Sequence, residues 1–188
     1  MVKNIVIFAS GDGSNAQNII DYFKSSTSIK VALVVSNKST ANVLNRAKNA
    51  NIPTLIVDRA SFYETEKTID CLKTFNIDLI ALAGFLWMIP ERLIKAFPNK
   101  IVNIHPSLLP KFGGKGMYGV NVHQAVIESK EKESGITIHF VDEEYDKGTI
   151  ISQHKCSVSE NDSAKILAEK IHLLEHEYFP KIIETLLT

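Results

Sequence analysis

Asn4-Ile5-Val6-Ile7-Phe8-Ala9-Ser10-Gly11-Asp12-Gly13-Ser14-Asn15-Ala16 is the stretch whose reading decides the fold. Its first six residues form a short apolar run, the pattern of a strand buried on both faces. Ala16, Ile19, Ile20 and Phe23 then recur at i, i+3, i+4 and i+7, the apolar stripe of an amphipathic helix. Strand, glycine turn and helix together open an α/β unit, and the next eighty residues repeat the theme. Strands are predicted at Val31 to Val35, Thr54 to Val57, Leu79 to Ala83 and Ile101 to Ile104. Helices are predicted at Ala41 to Ala50, at about Phe62 to Phe75, and near Pro90 to Phe97. Strands alternating with helices imply a mostly parallel sheet covered on both faces.

The pattern changes after Ile104. A loop with Pro106, Pro110 and glycines 113, 114, 116 and 119 leads to a helix near Val120 to Ser129. Two strands, Gly135 to Val141 and Thr149 to Lys155, flank the acidic run Asp142-Glu143-Glu144-Tyr145-Asp146. A last helix, about Ser163 to Leu187, sets Leu167, Ile171, Leu174 and Tyr178 on one face. With no repeat, low-complexity tract or linker, residues 1–188 read as a single Rossmann-like α/β domain: a twisted, mostly parallel sheet of about seven strands with helices on both faces.

Lys+Arg and Asp+Glu both total 21. A neutral chain gives no reason to expect nucleic acid or an anionic membrane as partner. No stretch approaches the roughly 20 apolar residues that span a bilayer. Cys71 and Cys156 are too few and too far apart for a disulfide framework or a zinc knuckle. The expectation is a cytoplasmic protein acting on small molecules, a monomer or homodimer.

Ligands of open parallel sheets bind beyond the carboxyl ends of the strands. Four strand ends carry conspicuous residues here, namely Gly11 to Asn15, Gly84-Phe85, Asn103-Ile104-His105 and the 142–148 loop, and strands pointing the same way bring the first three to one edge. Glycines admit a close ligand, and the free N–H groups of a helix start favour phosphate. Ser14 or Asn15 serving only as an N-cap is the alternative. Gly11 to Ala16 also fits G-x-G-x-x-A, but Val34-Val35-Ser36-Asn37-Lys38 has no acidic residue for a dinucleotide ribose, so a monophosphate fits better.

Alternation puts Asn103 and His105 on one side of their strand. A donor amide beside an imidazole suits attack on a carbonyl carbon: Asn103 to stabilise the oxyanion, His105 as general acid or base. Asp146 is positioned to orient His105 and raise its pKa; the alternative for the 142–146 run is a solvated acidic turn. His172-Leu173-Leu174-Glu175-His176 matches the zinc pattern H-x-x-E-H, but no third ligand follows. Glu175 and His172 read instead as reaching toward a ligand, and no metal is expected.

These residues together make the chain resemble the phosphoribosylglycinamide formyltransferase family, the folate-dependent formyltransferases of purine synthesis. The likeness runs nearly end to end. Its markers are Ser10 to Asn15, Ala83-Gly84-Phe85, Asn103-Ile104-His105-Pro106-Ser107-Leu108-Leu109-Pro110, His139-Phe140-Val141, Asp146 and Glu175-His176. The resemblance implies the formyltransferase fold and Asn103, His105 and Asp146 as catalytic trio. It implies that Gly13, Ser14, Asn15, His172 and Glu175 hold the phosphate and ribose of the acceptor. It implies that Phe85, Leu86, Trp87, Met88 and Ile89, with Val141, Asp142 and Glu143, hold the co-substrate 10-formyltetrahydrofolate, and that Leu109-Pro110 is a candidate cis bond.

Three features depart from the family's usual pattern. Trp87 stands where arginine is common, His172 where an amide or lysine is, and the 113–119 segment is longer, reading as a mobile lid or, as the alternative, a loose loop. The related methionyl-tRNA formyltransferases add a tRNA module, and formyltetrahydrofolate deformylases an N-terminal domain; neither is expected here. A non-catalytic nucleotide sensor would not need the trio, and a dinucleotide oxidoreductase lacks its ribose ligand.

Overall fold

A computed structural model describes all residues, Met1–Thr188. One seven-stranded sheet runs through it in the order β3-β2-β1-β4-β5-β6-β7. The strands are β1 Lys3–Phe8, β2 Ile29–Ser36, β3 Thr54–Ile56, β4 Leu79–Leu82, β5 Ile101–His105, β6 Glu133–Phe140 and β7 Ile150–Ser157. β1 to β5 are mutually parallel, whereas β6 is antiparallel to both β5 and β7. The period of two in each strand feeds two separate cores. Ile5, Ile7, Leu79 and Ala81 face one, and Val6, Phe8, Ile80 and Leu82 face the other. Strands buried on both faces must be apolar throughout, which is why β1 and β4 read as continuous runs.

The first core is closed by α1 Ser14–Phe23, α2 Asn42–Asn49, α6 Val120–Glu128 and α7 Ala164–Leu187. The second lies beneath α3 Arg59–Tyr63, α4 Lys67–Thr74 and α5 Glu91–Ala96. The sequence predicts one helix over about 62–75, and the structure divides it. Asp58 and Ser61 form a capping box that starts α3 at Arg59. The Thr68 hydroxyl donates to the Ser61 carbonyl at 2.8 Å, so a side chain satisfies that group at the break. Exposed Glu64 and Glu66 bound the intervening turn.

Chain order reverses across β1 and β4: β2 lies on one side of β1, and β4 on the other. The loops leaving this switch point must part, opening a crevice. Backbone and side chain both tie it together. Ser10 N–H donates to the Gly84 carbonyl at 3.0 Å, and Leu86 N–H donates to Ser10 Oγ at 2.9 Å.

α1 and α7 meet along a polar seam. Asn15 Nδ2 donates to Glu175 Oε2 at 2.8 Å, and Tyr22 Oη to Glu184 Oε2 at 2.6 Å. Between them Asn18 Nδ2 donates to the His176 carbonyl at 2.7 Å. That carbonyl lacks its helical donor because the residue four positions on is Pro180, inside α7. Asn18 therefore replaces the missing N–H and fixes the rotation of α7 against α1, which carries Glu175 into the crevice. Asn18→Ala should cost about 1–2 kcal/mol in urea unfolding. The cost should shrink when Pro180→Ala restores the helical donor; equal costs in both backgrounds would contradict this account.

Candidate active site

The crevice is a cavity of about 1020 Å³ at the carboxyl ends of β1, β4 and β5. The expected catalytic residues Asn103, His105 and Asp146 line it. Their meeting depends on a strand register that the sequence does not display. β5 and β6 pair with Asn103 opposite His139 and His105 opposite Thr137. The β6–β7 turn then brings Asp146 back over that edge.

Asp146 is the hub. Its Oδ2 lies 3.5 Å from His105 Nδ1 and accepts from Gly114 N–H at 2.9 Å. Its Oδ1 lies 3.5 Å from Asn103 Nδ2 and 3.6 Å from His139 Nε2. The residue holds φ at 57°, a left-handed conformation uncommon outside glycine. Such strain persists only where surrounding contacts over-determine it. Burial by itself pushes the carboxyl up. The His139 contact, the charge of His105 and the Gly114 amide outweigh it, so Asp146 sits below the ordinary aspartate range.

The imidazole tautomers follow from what faces them. A carbonyl can only accept, so His105 Nε2, 2.8 Å from the Phe112 carbonyl, carries a proton. In the neutral ring Nδ1 is then the free lone pair, and it faces Asp146. By the same argument His139 Nδ1 donates to the Phe140 carbonyl at 2.8 Å. Its Nε2 is left to accept from Asn103 Nδ2 at 3.1 Å. That bond fixes which way round the Asn103 amide sits, and its other N–H is directed at Asp146 Oδ1 at 3.5 Å, a long contact that a ligand oxygen can displace or share.

The sequence leads to the expectation that Asp146 raises the His105 pKa. Asp146 does pull upward, but His105 is only 3% exposed, and burial pushes harder in the other direction. The net shift is downward, which corrects the expectation: His105 is neutral at neutral pH and ready to take a proton. Sequence reasoning also misses His139 and His123 as site residues. Both are buried and line the cavity. His139 is visible as a marker, but only the β5–β6 register shows that it backs Asn103.

A buried polar cluster holds the turn after β5. The Thr137 hydroxyl donates to the Ser107 carbonyl at 2.7 Å and accepts from Leu109 N–H at 3.0 Å. Gln153 Nε2 donates to both Thr137 Oγ1 and the Leu109 carbonyl, each at 2.9 Å. Leu109-Pro110 is cis. Past this turn, Gly114 to Gly119 form one wall of the cavity, so the long glycine segment is part of the site.

At one end of the cavity lie Ser10, Gly11, Asn15, Lys38, His172 and Glu175. Gly13 is the N-cap of α1, with φ 81° and no side-chain cap. Ser14 and Asn15 are the first helical residues, so neither is the N-cap. The amides of this first turn are thus left for an external anion. Gly13 and Ser14 lie beside the cavity without lining it. His172 Nδ1 is 3.4 Å from Glu175 Oε2, and that contact raises its pKa despite partial burial. The His176 ring packs 3.9 Å from that of His172 but does not line the cavity: its Nε2 is buried without a partner, and burial, then repulsion by His172, holds its pKa down.

The other end is apolar. Phe85, Leu86, Trp87, Met88, Ile89 and Val141 line it together with Asp142 and Tyr145. Tyr63 stiffens this wall by donating to the Met88 carbonyl at 2.9 Å. Glu143 is expected here from the resemblance, but it is exposed and outside the lining. Asp142, Glu144, Tyr145 and Asp146 of the same turn do line the cavity, so within it Glu143 is the residue that does not.

The sequence pattern of the formyl transferase family matches residues 3–183. This chain belongs to the formyl transferase family. Its sequence is 37% identical to the phosphoribosylglycinamide formyltransferase of Bacillus subtilis over 191 residues, 99% of this chain and 95% of the relative. It is 40% identical to the chloroplastic phosphoribosylglycinamide formyltransferase of Arabidopsis thaliana, covering 96% of this chain. The chain spans 64% of that plant protein's length, less than two thirds. The crystal structure of glycinamide ribonucleotide transformylase 1 from Geobacillus kaustophilus superposes with a TM-score of 0.90 at 36% identity, covering all of both chains.

The geometry of this formyl transferase site makes a direct prediction. His105 should titrate below an ordinary histidine in an NMR pH series. Asp146→Asn removes the charge that pulls its pKa upward, so its midpoint should fall further. A rise of that midpoint in the Asp146→Asn variant would contradict the assignment of burial and charge.

Proposed function

We propose that the chain transfers the formyl group of 10-formyltetrahydrofolate to the amine of N1-(5-phosphoribosyl)glycinamide, a step of purine synthesis. The observation that carries this reading is a single cavity with unlike ends. Uncapped amides of α1 with Lys38 and His172 suit a phosphate, and an aromatic and aliphatic wall suits a flat heterocycle. Asn103, His105 and Asp146 lie on the lining between them. The relatives that match the chain end to end carry the name of this activity. Two separate, uncrosslinked cysteines favour a reducing, cytoplasmic setting.

The apolar stretch Phe85 to Ile89 fits the donor's ring system, and Asp142 supplies a polar group at its edge. The donor, when bound, supplies a formyl carbon open to attack. The amine adds to that carbon, and charge collects on the formyl oxygen. The second N–H of Asn103 turns from its long contact with Asp146 to donate to that oxygen, while His139 holds the first. His105 takes the proton that the amine sheds at Nδ1, where Asp146 stabilises the new imidazolium. The same proton then goes to the departing nitrogen as its bond to the formyl carbon breaks. The new carbon–nitrogen bond makes a formamide of the acceptor, and His105 returns to neutral.

Loss of the formyl donor should require the phosphoribosylated amine. Equal loss without it would make water the acceptor and overturn the transferase reading. His105→Ala should lower kcat by about 10²-fold or more while the protein stays folded. Near-normal turnover in that variant would remove His105 from the chemistry.

A further inference from the structure

Arg46 lies outside the cavity, in a surface depression behind α1, yet it reaches the phosphate loop from the far side. Its Nε donates to the Asp12 carbonyl at 2.8 Å, and a guanidinium N–H donates to Asp12 Oδ2 at 2.6 Å. Asn42, one turn earlier on α2, donates from Nδ2 to Asp12 Oδ1 at 2.9 Å. Val43 N–H donates to the Gly11 carbonyl at 3.2 Å. A Cβ at Gly13 would lie 2.6 Å from the Val43 side chain, so the loop is seated hard against α2.

Two consequences follow from peptide geometry and charge. In a trans peptide the C=O and the next N–H point in opposite directions. Fixing the Asp12 carbonyl on Arg46 therefore aims the Gly13 N–H the other way, and fixing the Gly11 carbonyl on Val43 does the same for the Asp12 N–H. Asp12 also puts a carboxylate two residues from Ser14, where it would repel a bound phosphate. Asn42 and Arg46 draw that carboxylate to the outer side, and their hydrogen bonds hold its pKa low. The ion pair is solvent-exposed, with the Asp12 side chain 64% accessible, so its value to stability is small. Its geometry points to a different use.

We propose that Arg46 is a positioning residue for phosphate: it orients the loop amides and offsets the charge of Asp12, without touching the ligand. The proposal rests on the phosphate-loop part of the function above. Ribose 5-phosphate is the probe, followed by calorimetry on the whole chain, so the test does not depend on turnover. Arg46→Ala should weaken its binding roughly tenfold at low salt, the scale of one offset charge near the surface. The deficit should shrink toward about 0.5 M salt. Asp12→Asn added to Arg46→Ala should recover part of the loss by removing the exposed charge. In turnover, the loss should fall on KM for the phosphorylated acceptor, with kcat and donor KM within about twofold. Unchanged ribose 5-phosphate binding in folded Arg46→Ala would overturn the proposal. So would a loss that Asp12→Asn leaves untouched and salt does not alter. Normal phosphate binding by a wild-type protein that transfers no formyl group would retire the enzymatic reading and leave the clamp standing.

Discussion

The site depends on keeping one carboxylate ionised at the edge of a buried surface. Asp146 accepts from an amide of the 113–119 segment and, at longer range, from Asn103, and it faces two imidazoles from neighbouring strands. Burying an isolated carboxylate is costly, and it stays charged only where its lone pairs are met. Meeting them requires the left-handed turn at residue 146, the antiparallel β5–β6 register and the placement of Gly114 all at once. The same contacts order the cavity wall, because Phe112 and Gly114 flank the point where the glycine segment turns away. Chemistry and loop geometry are therefore one constraint.

The cavity's unlike ends come from the sheet's topology. Reversal of strand order between β1 and β4 opens the crevice, and what leaves each strand decides what each end can bind. β1 runs into a glycine turn and an uncapped helix, which offers amides. β4 runs into Phe85 to Ile89, which offers apolar surface. β5 stands next in the sheet and supplies Asn103 and His105. α7 completes the end that faces the α1 amides, where Pro180 leaves a carbonyl to Asn18 and Asn15 holds Glu175.

Much of this is legible in the sequence. Buried strands beside helices of period 3.6 reveal the α/β order, and strand ends reveal Asn103, His105 and the Gly11–Asn15 loop. Local polar accounting is less visible. The break between α3 and α4 turns on one threonine hydroxyl, and hydrophobic periodicity is blind to it. His139 sits in a strand whose partner cannot be known before the sheet is assembled, so its role behind Asn103 stays hidden. The sign of the His105 shift escapes the sequence for a similar reason. Proximity to Asp146 can be guessed from motif spacing, but burial is a property of the whole fold, and here burial wins.

A structure with two ligands bound would test the central claim most directly, namely that one cavity holds acceptor and donor at opposite ends of the catalytic row. Crystals would carry the phosphoribosylated amine together with a non-transferring analogue of the formyl donor. The account predicts phosphate oxygens on the amides that open α1, the heterocycle against Phe85 to Met88, the formyl oxygen of the donor analogue on an N–H of Asn103, and the amine beside His105 Nδ1. A phosphate seated elsewhere, or two ligands competing for the same end, would contradict it.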